Sequence, residues 1–181
     1  GGYIVLRYHS EVVWQMALRE ESFEEVRVGE EFIACRAAQG GYGVASSSKV
    51  DAEGIRATMH RAQKLARLHR RPVNLVPVKA EVGFRRHICG RVFDEDEAAS
   101  LLKDFAALLR ERLGAYYARS ELVLSHSVVH SCLVTSEGTE VCEETPLTDL
   151  VAYVVARGFR VGYAGYVGGG LGGLEVLTPK H

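Results

Sequence analysis

Two stretches of helical periodicity interrupt a chain that otherwise has the pattern of β-strands, and this alternation restricts the fold class most. Apolar residues recur at helical spacing from Ile55 to Ala66 behind two N-cap candidates, Ser48 and Asp51, which predicts a helix over about 51–68. Four acids at 94–97 open a second helix, whose leucines predict a buried stripe to about residue 117. The strand and helix order predicts an α+β fold, with a largely antiparallel sheet and two long amphipathic helices packed on one face.

The predicted strands are short and are separated by polar residues or by glycine. Gln39-Gly40-Gly41 predicts a hairpin, because glycine enters left-handed turn positions without steric cost. Pro77 cannot donate a ladder hydrogen bond, so residues 73–78 are predicted to form an edge strand or an irregular segment. Residues 80–88 could form a strand. The other predicted strands are 3–9, 12–20, 24–28, 32–37, 42–47, 121–134, 140–144, 147–157 and 159–166. We expect one domain over 1–177, with a possible subdivision into 1–72 and 73–177, and a tail over 178–181.

Composition and charge are those of an ordinary globular chain. Of 181 residues, 47% are hydrophobic and 25% are charged, and the formal net charge is −1. A net charge this small gives no global attraction to nucleic acid or to anionic lipid. No uncharged stretch reaches the ~20 residues that a bilayer-spanning helix needs, and no signal peptide is visible. We therefore expect a cytoplasmic protein without membrane contact.

Cysteine and histidine residues predict little chemistry. The four cysteines form no C-x-x-C motif, so reduced thiols are the default expectation. Cys132 and Cys142 flank a turn at 136–138; a three-residue loop makes them cross-strand neighbours, a two-residue loop does not, and we favour two small buried thiols over a disulfide. His126 and His130 are four residues apart, which is about 13 Å along a strand and too far for one shared ion.

An acid-free basic segment, 54–80, is the strongest anomaly of charge. The cations near one face of the predicted helix are Arg56, His60, Lys64, Arg67 and Arg71. Such a stripe could face an anionic partner. No aromatic residues interleave it for base stacking, so a solvated or partner-facing surface is favoured over nucleic-acid binding. The glycine run 168–173 lacks the GK[ST] sequence of a phosphate-binding loop.

The order of several segments resembles a known family. Residues 36–46, Arg-Ala-Ala-Gln-Gly-Gly-Tyr-Gly-Val-Ala-Ser, lead into a helix that carries Ala62 and Ala66 as an A-x-x-x-A pair. This arrangement resembles the N-terminal domain of the TldD/PmbA proteins, often labelled modulators of DNA gyrase. Residues 135–138, Thr-Ser-Glu-Gly, stand where that family usually has Asn-Ser-x-Gly, and 168–173 resembles the stretch that closes the domain. The resemblance covers about residues 3–177.

The resemblance implies a part of a metallopeptidase system that acts on unfolded or peptide-like substrates and works as a pair of TldD-type and PmbA/TldE-type subunits. The zinc motif of the family, HE-x-x-x-H with a later cysteine, lies in a C-terminal domain and does not occur in this sequence. We therefore expect no catalytic residues and no metal ligands here, with zinc only in the absent C-terminal domain of an active parent.

The expected function is that of a non-catalytic N-terminal domain, inactive alone, that serves assembly, chamber enclosure or peptide guidance in proteolysis. Such a domain would form a homo- or hetero-oligomer with a TldD/PmbA-type subunit and could contact a peptide substrate. The alternative is a nucleic-acid-binding or DNA gyrase-modulating module that uses the basic helix.

Overall fold

The computed structural model describes residues 2–69, 79–87 and 93–177. The elements in chain order are β1 (Tyr3–Arg19), β2 (Ser22–Ala38), β3 (Tyr42–Ser47), α1 (Ala52–Leu68), β4 (Val82–Arg86), α2 (Glu95–Leu113), β5 (Tyr117–Thr135), β6 (Glu140–Arg157) and β7 (Val161–Leu171). Short 3-10 turns follow α2 and β7. The predicted segment 73–78 lies outside the described residues.

The strands form a seven-stranded sheet in the order β3-β2-β1-β5-β6-β4, and β7 pairs with β6. The β2–β3 and β6–β7 pairs are antiparallel, whereas β4 runs parallel to β6. The predicted α+β class with a mostly antiparallel sheet and two long helices is therefore confirmed. The parallel β4 is an exception that hairpin-length links do not predict.

Several predicted strands are segments of longer ones. β1 joins the predicted runs 3–9 and 12–20, and β6 joins 140–144 and 147–157 across Pro146. β6 pairs with β4 over 140–144 and with β7 over 147–157. Pro146 falls between these two ladders, so its missing N–H removes no hydrogen bond from either of them. A polar or proline residue therefore need not end a strand.

Asp51, one of the two predicted candidates, caps α1, and Asp94, the first of the four predicted acids, caps α2. The Oδ1 atom of Asp51 accepts the Gly54 N–H at 2.7 Å, and that of Asp94 accepts the Glu97 N–H at 2.8 Å. α2 ends four residues before the predicted boundary, because Gly114 takes a φ of +52° that terminates the helix. Among the described residues, neither helix is both long and apolar enough to cross a membrane.

The chain divides into two compact units, each built from separate stretches of sequence. Unit 1 contains 1–11, 29–86 and 129–144, and unit 2 contains 12–28, 87–128 and 145–181. In unit 1, α1 packs on β2 and β3 through small buried residues: Cys35, Ala37, Ala45, Ala62 and Ala66. In unit 2, α2 packs on strands through larger ones, among them Trp14, Leu18, Leu102, Leu122, Leu124 and Leu150.

A disulfide joins Cys132 on β5 to Cys142 on β6, with the two Cα atoms 4.0 Å apart. The Thr135 N–H donates to the Thr139 carbonyl at 2.9 Å, so the loop holds the three residues 136–138. This is the loop length that makes the two cysteines cross-strand neighbours. The preference for two free buried thiols is therefore wrong, and both residues are half-buried.

Candidate functional site

An exposed apolar surface covers one side of the β6–β7 hairpin in unit 2. The antiparallel register pairs Val151 with Val167, Tyr153 with Gly165 and Val155 with Tyr163. Paired residues lie on the same face of a sheet, as do residues two apart along a strand. We call this surface the apolar sheet face, and its residues are Val151, Tyr153, Val155, Val161, Tyr163 and Val167.

Exposure is high across the apolar sheet face. Tyr163 is 90% exposed, Val167 71% and Tyr153 56%. The alternate residues Leu150 and Ala152 of β6 are buried in the core that includes α2. The sequence of β6 therefore alternates as in a strand with one buried face, but its other face carries aromatic and β-branched side chains instead of polar ones.

The outer edge of β7 is open in the part of the chain that the structure describes, because β7 pairs only with β6. Glycines at 162, 165, 168, 169 and 170 leave this edge with little side-chain cover. An open edge presents unpaired N–H and C=O groups that an extended chain can pair with. The hairpin thus combines an apolar surface with a free strand edge.

The predicted basic residues of α1 are exposed and partly share one concavity. His60, Lys64 and Arg67 line it together with Gln63 and Leu68, and its volume is about 510 Å³. The Nε of Arg67 also donates to the Gln39 side-chain oxygen at 3.0 Å. Arg56 is exposed on the same helix but does not line this concavity, and Arg71 lies outside the described residues.

A further group of potential ligands, which the sequence does not predict, lies in unit 1. His9 and Glu11 of β1 and Glu30 of β2 bring one ligand atom each within 4.8 Å of one another. Sequence shows only the i, i+2 spacing of His9 and Glu11, which places them on one strand face. The third residue depends on how β1 and β2 pair, which pattern reasoning did not resolve.

Two further buried groups show what burial does to titratable side chains in this protein. Burial raises the pKa of the Cys35 thiol, which makes the nucleophilic thiolate scarce at neutral pH. Burial lowers the pKa of His126, and the nearby Glu175 partly opposes this effect. The ring of His126 stacks on Phe93 at 4.3 Å and its Nδ1 lies 2.8 Å from the Thr148 hydroxyl. These contacts hold His126 as a packed residue.

Comparison with known proteins gives one match to a family and several to solved structures. Residues 91–177 match the family described as the PmbA/TldA metallopeptidase central domain. No curated protein matches the sequence. The motifs in the sequence predicted a resemblance to the N-terminal domain of the family. The match is instead to the central domain.

Three solved structures share the fold. A candidate modulator of DNA gyrase from Thermotoga maritima is 11% identical with a TM-score of 0.62, and the match covers 93% of this chain and 39% of that one. A second candidate modulator, from Bacteroides thetaiotaomicron, is 17% identical with a TM-score of 0.65 and coverages of 93% and 40%. TldE from Thermococcus kodakarensis is 15% identical with a TM-score of 0.66 and coverages of 92% and 39%.

The chain spans about two fifths of each of these structures. Their low sequence identity makes them a likeness of fold, while the family match rests on the sequence itself. The predicted resemblance to the TldD/PmbA family is therefore confirmed, and residues 91–177 match the central domain of that family.

Proposed function

We propose that this chain is a non-catalytic part of a TldD/PmbA-type metallopeptidase, or of its inactive partner, and that it serves assembly, chamber enclosure or peptide guidance. Three observations support the proposal. The sequence has no HE-x-x-x-H motif, the matched family is described as metallopeptidase, and the chain spans about two fifths of its solved relatives.

The apolar sheet face carries this proposal. Monomeric proteins rarely leave a continuous row of large apolar side chains in water, and such rows mark interaction surfaces. Burying a valine or an aromatic side chain that was exposed to water gives a favourable free energy of about 1.5–3 kcal/mol. Tyr153, Tyr163 and Val167 are more than half exposed and so retain most of that free energy for association. The proposed occupant is a TldD/PmbA-type subunit.

Peptide guidance has a separate support in the free edge of β7. An extended peptide can add to an open sheet edge through main-chain hydrogen bonds, with little dependence on its sequence. This mode fits unfolded or peptide-like substrates, which share a backbone but not a side-chain pattern. The aromatic rings of the apolar sheet face would add contacts for apolar side chains of the same peptide.

Association can be measured by sedimentation of the full chain with a TldD-type or TldE-type subunit from the same source. We expect a complex that the double substitution Tyr163→Ser and Val167→Ser weakens at least about tenfold, equivalent to ~1.4 kcal/mol. The matched control is Tyr42→Ser with Val44→Ser, which changes the same residue types on exposed positions of β3. Absence of a complex, or equal weakening by both pairs, would contradict the proposal.

Catalytic inertness has its own measurement. The purified chain should not cleave unfolded peptides, with or without added zinc. Peptide turnover by the chain alone, abolished by a chelator, would show that it contains a catalytic centre. Metal binding without turnover leaves the proposed function intact.

A second candidate function is binding of an anionic partner such as DNA through α1. It is supported by the convergence of His60, Lys64 and Arg67 on one concavity. Two of the solved relatives carry a name that refers to DNA gyrase. Phosphate contacts would make such binding fall steeply with salt. DNA affinity that is unmeasurable at low salt, or unchanged when Arg56, Lys64 and Arg67 become alanine, would remove this candidate.

A further inference from the structure

His9, Glu11 and Glu30 form a convergent ligand set in unit 1 that the proposed function does not use. The Nε2 atom of His9 lies 3.5 Å from a Glu30 oxygen and 3.9 Å from a Glu11 oxygen. Both separations are longer than a charge-assisted hydrogen bond, which is about 2.7–2.9 Å. The three groups thus point at a common space without closing on one another.

The two separations from His9 are close to those in the ligand shell of a small divalent ion. Zinc binds nitrogen and carboxylate oxygen at about 2.0–2.2 Å, which places neighbouring tetrahedral ligands about 3.4 Å apart. The His9–Glu30 separation of 3.5 Å already matches this spacing, and the His9–Glu11 separation of 3.9 Å needs a shift of only a few tenths of an ångström. Glu30 is mostly exposed, with 61% of its side chain in water, so its carboxylate can adjust at small cost.

Electrostatics also favours a cation at this position. Two carboxylates that converge on one point repel each other unless positive charge lies between them. Within the described residues, the ion-pair partner that both carboxylates share is His9 itself. A divalent ion bound between the two carboxylates would offset their mutual repulsion.

The imidazole of His9 is held in place by packing. Its ring packs on Phe32 with the centroids 4.8 Å apart, which restricts rotation of the side chain. Its Nδ1 atom is buried and has no hydrogen-bond partner in the part of the chain that the structure describes. The ring therefore presents Nε2, the atom that faces both carboxylates, to a bound ion.

We propose that His9, Glu11 and Glu30 bind one divalent transition-metal ion, best matched by Zn²⁺, which joins β1 to β2 and leaves a fourth position for water. Imidazole in the ligand set favours zinc and its neighbours over Mg²⁺ and Ca²⁺, which prefer all-oxygen sites. This inference does not rest on the proposed function. It departs from the sequence-based expectation that no metal ligands lie in this chain.

Titration calorimetry of the metal-free full chain with ZnCl₂ tests the proposal. We expect one saturable site whose affinity falls at least about tenfold in Glu30→Gln and in Glu11→Gln. Both variants change side chains that touch water, so they should fold, and circular dichroism checks this. The matched control is Glu31→Gln, which neutralises the adjacent acid, whose carboxylate accepts a hydrogen bond from Tyr8. This control should bind zinc as the wild type does.

Three results would overturn the assignment. One is the absence of saturable binding up to millimolar ZnCl₂. Another is a zinc affinity that Glu30→Gln and Glu11→Gln leave unchanged, which would locate the bound ion elsewhere in the chain. The third is binding of Mg²⁺ or Ca²⁺ as tight as that of Zn²⁺, which would show that the imidazole is not a ligand. As a second readout, zinc should raise the unfolding temperature of the wild type and of Glu31→Gln, but not that of Glu30→Gln.

Discussion

Unit 1 and unit 2 each pack one helix on strands, but the two cores differ in how they gain stability. In unit 1 the buried cluster that includes α1 consists of alanine and cysteine, and α1 approaches the strands closely. A Cβ atom at Gly43 would lie 2.1 Å from the Ala62 carbonyl oxygen, and one at Gly41 would lie 1.5 Å from that of His69. The core of unit 2 contains Trp14 and several buried leucines, so side-chain volume separates α2 from its strands.

The comparison shows that one chain contains two kinds of helix packing, whose stability responds differently to a change in side-chain volume. Burial contributes about 25 cal/mol per Å² of apolar surface, so small side chains contribute less per residue than large ones. Unit 1 also contains the Cys132–Cys142 disulfide, and a cross-link of this kind typically stabilises by about 2–4 kcal/mol. Substitutions that remove side-chain volume should therefore destabilise unit 2 most. Substitutions that add side-chain volume should destabilise unit 1 most.

The largest expected effect is loss of a buried leucine in unit 2. Leu122 is fully buried, so Leu122→Ala should lower the free energy of unfolding by about 2–5 kcal/mol through lost burial and a residual cavity. Urea denaturation measures this loss. The control is Leu108→Ala, because Leu108 is 45% exposed on α2, and the change there should stay below about 1 kcal/mol. Similar losses in the two variants would show that volume is not what stabilises unit 2.

A smaller loss is expected from a single methyl group added in unit 1. Gly43→Ala should destabilise by about 1–3 kcal/mol, because the new Cβ meets helix backbone that cannot move aside alone. Gly83→Ala in β4 is the matched control, since a Cβ there would meet no atom within 4 Å. The same denaturation measurement applies. A neutral Gly43→Ala would mean that α1 is not held by close backbone contact.

The smallest expected effect is a pH dependence from His126 in unit 2. Burial lowers the pKa of His126 in the folded state, so the unfolded state binds the proton more tightly. The stability from its neutral form is complete above the unfolded pKa of about 6.5 and is lost as the pH falls through the lower folded pKa. Unfolding measured at several pH values should therefore show a shallower slope below pH 6.5 in His126→Gln. Parallel profiles would contradict this account.

Much of the secondary structure could be predicted, because its signals are local. The capping aspartates fix where α1 and α2 begin, and the helical spacing of apolar residues fixes which face is buried. Strand boundaries were less accurate. β1 continues through polar residues that interrupt its pattern, and β6 continues through Pro146, because pairing with neighbouring strands decides where a strand ends.

Functional surfaces were predicted less well than elements. Three of the five basic residues do meet at one concavity, as a helix face requires, since helical spacing alone brings them together. The apolar sheet face depends on the β6–β7 register, and its exposed valines and tyrosines resemble core residues in sequence. The ligand set of His9, Glu11 and Glu30 depends on the pairing of β1 with β2.

By itself, the sequence determined the α+β class, the two helices and the region where each begins, and the resemblance to TldD/PmbA proteins, because each depends on residues close together in the chain or on their order. The tertiary structure decided the disulfide, the parallel β4, the exposed face of the β6–β7 hairpin and the meeting of His9 with Glu30. These features depend on strand register, and a shift of one residue turns every side chain to the opposite face.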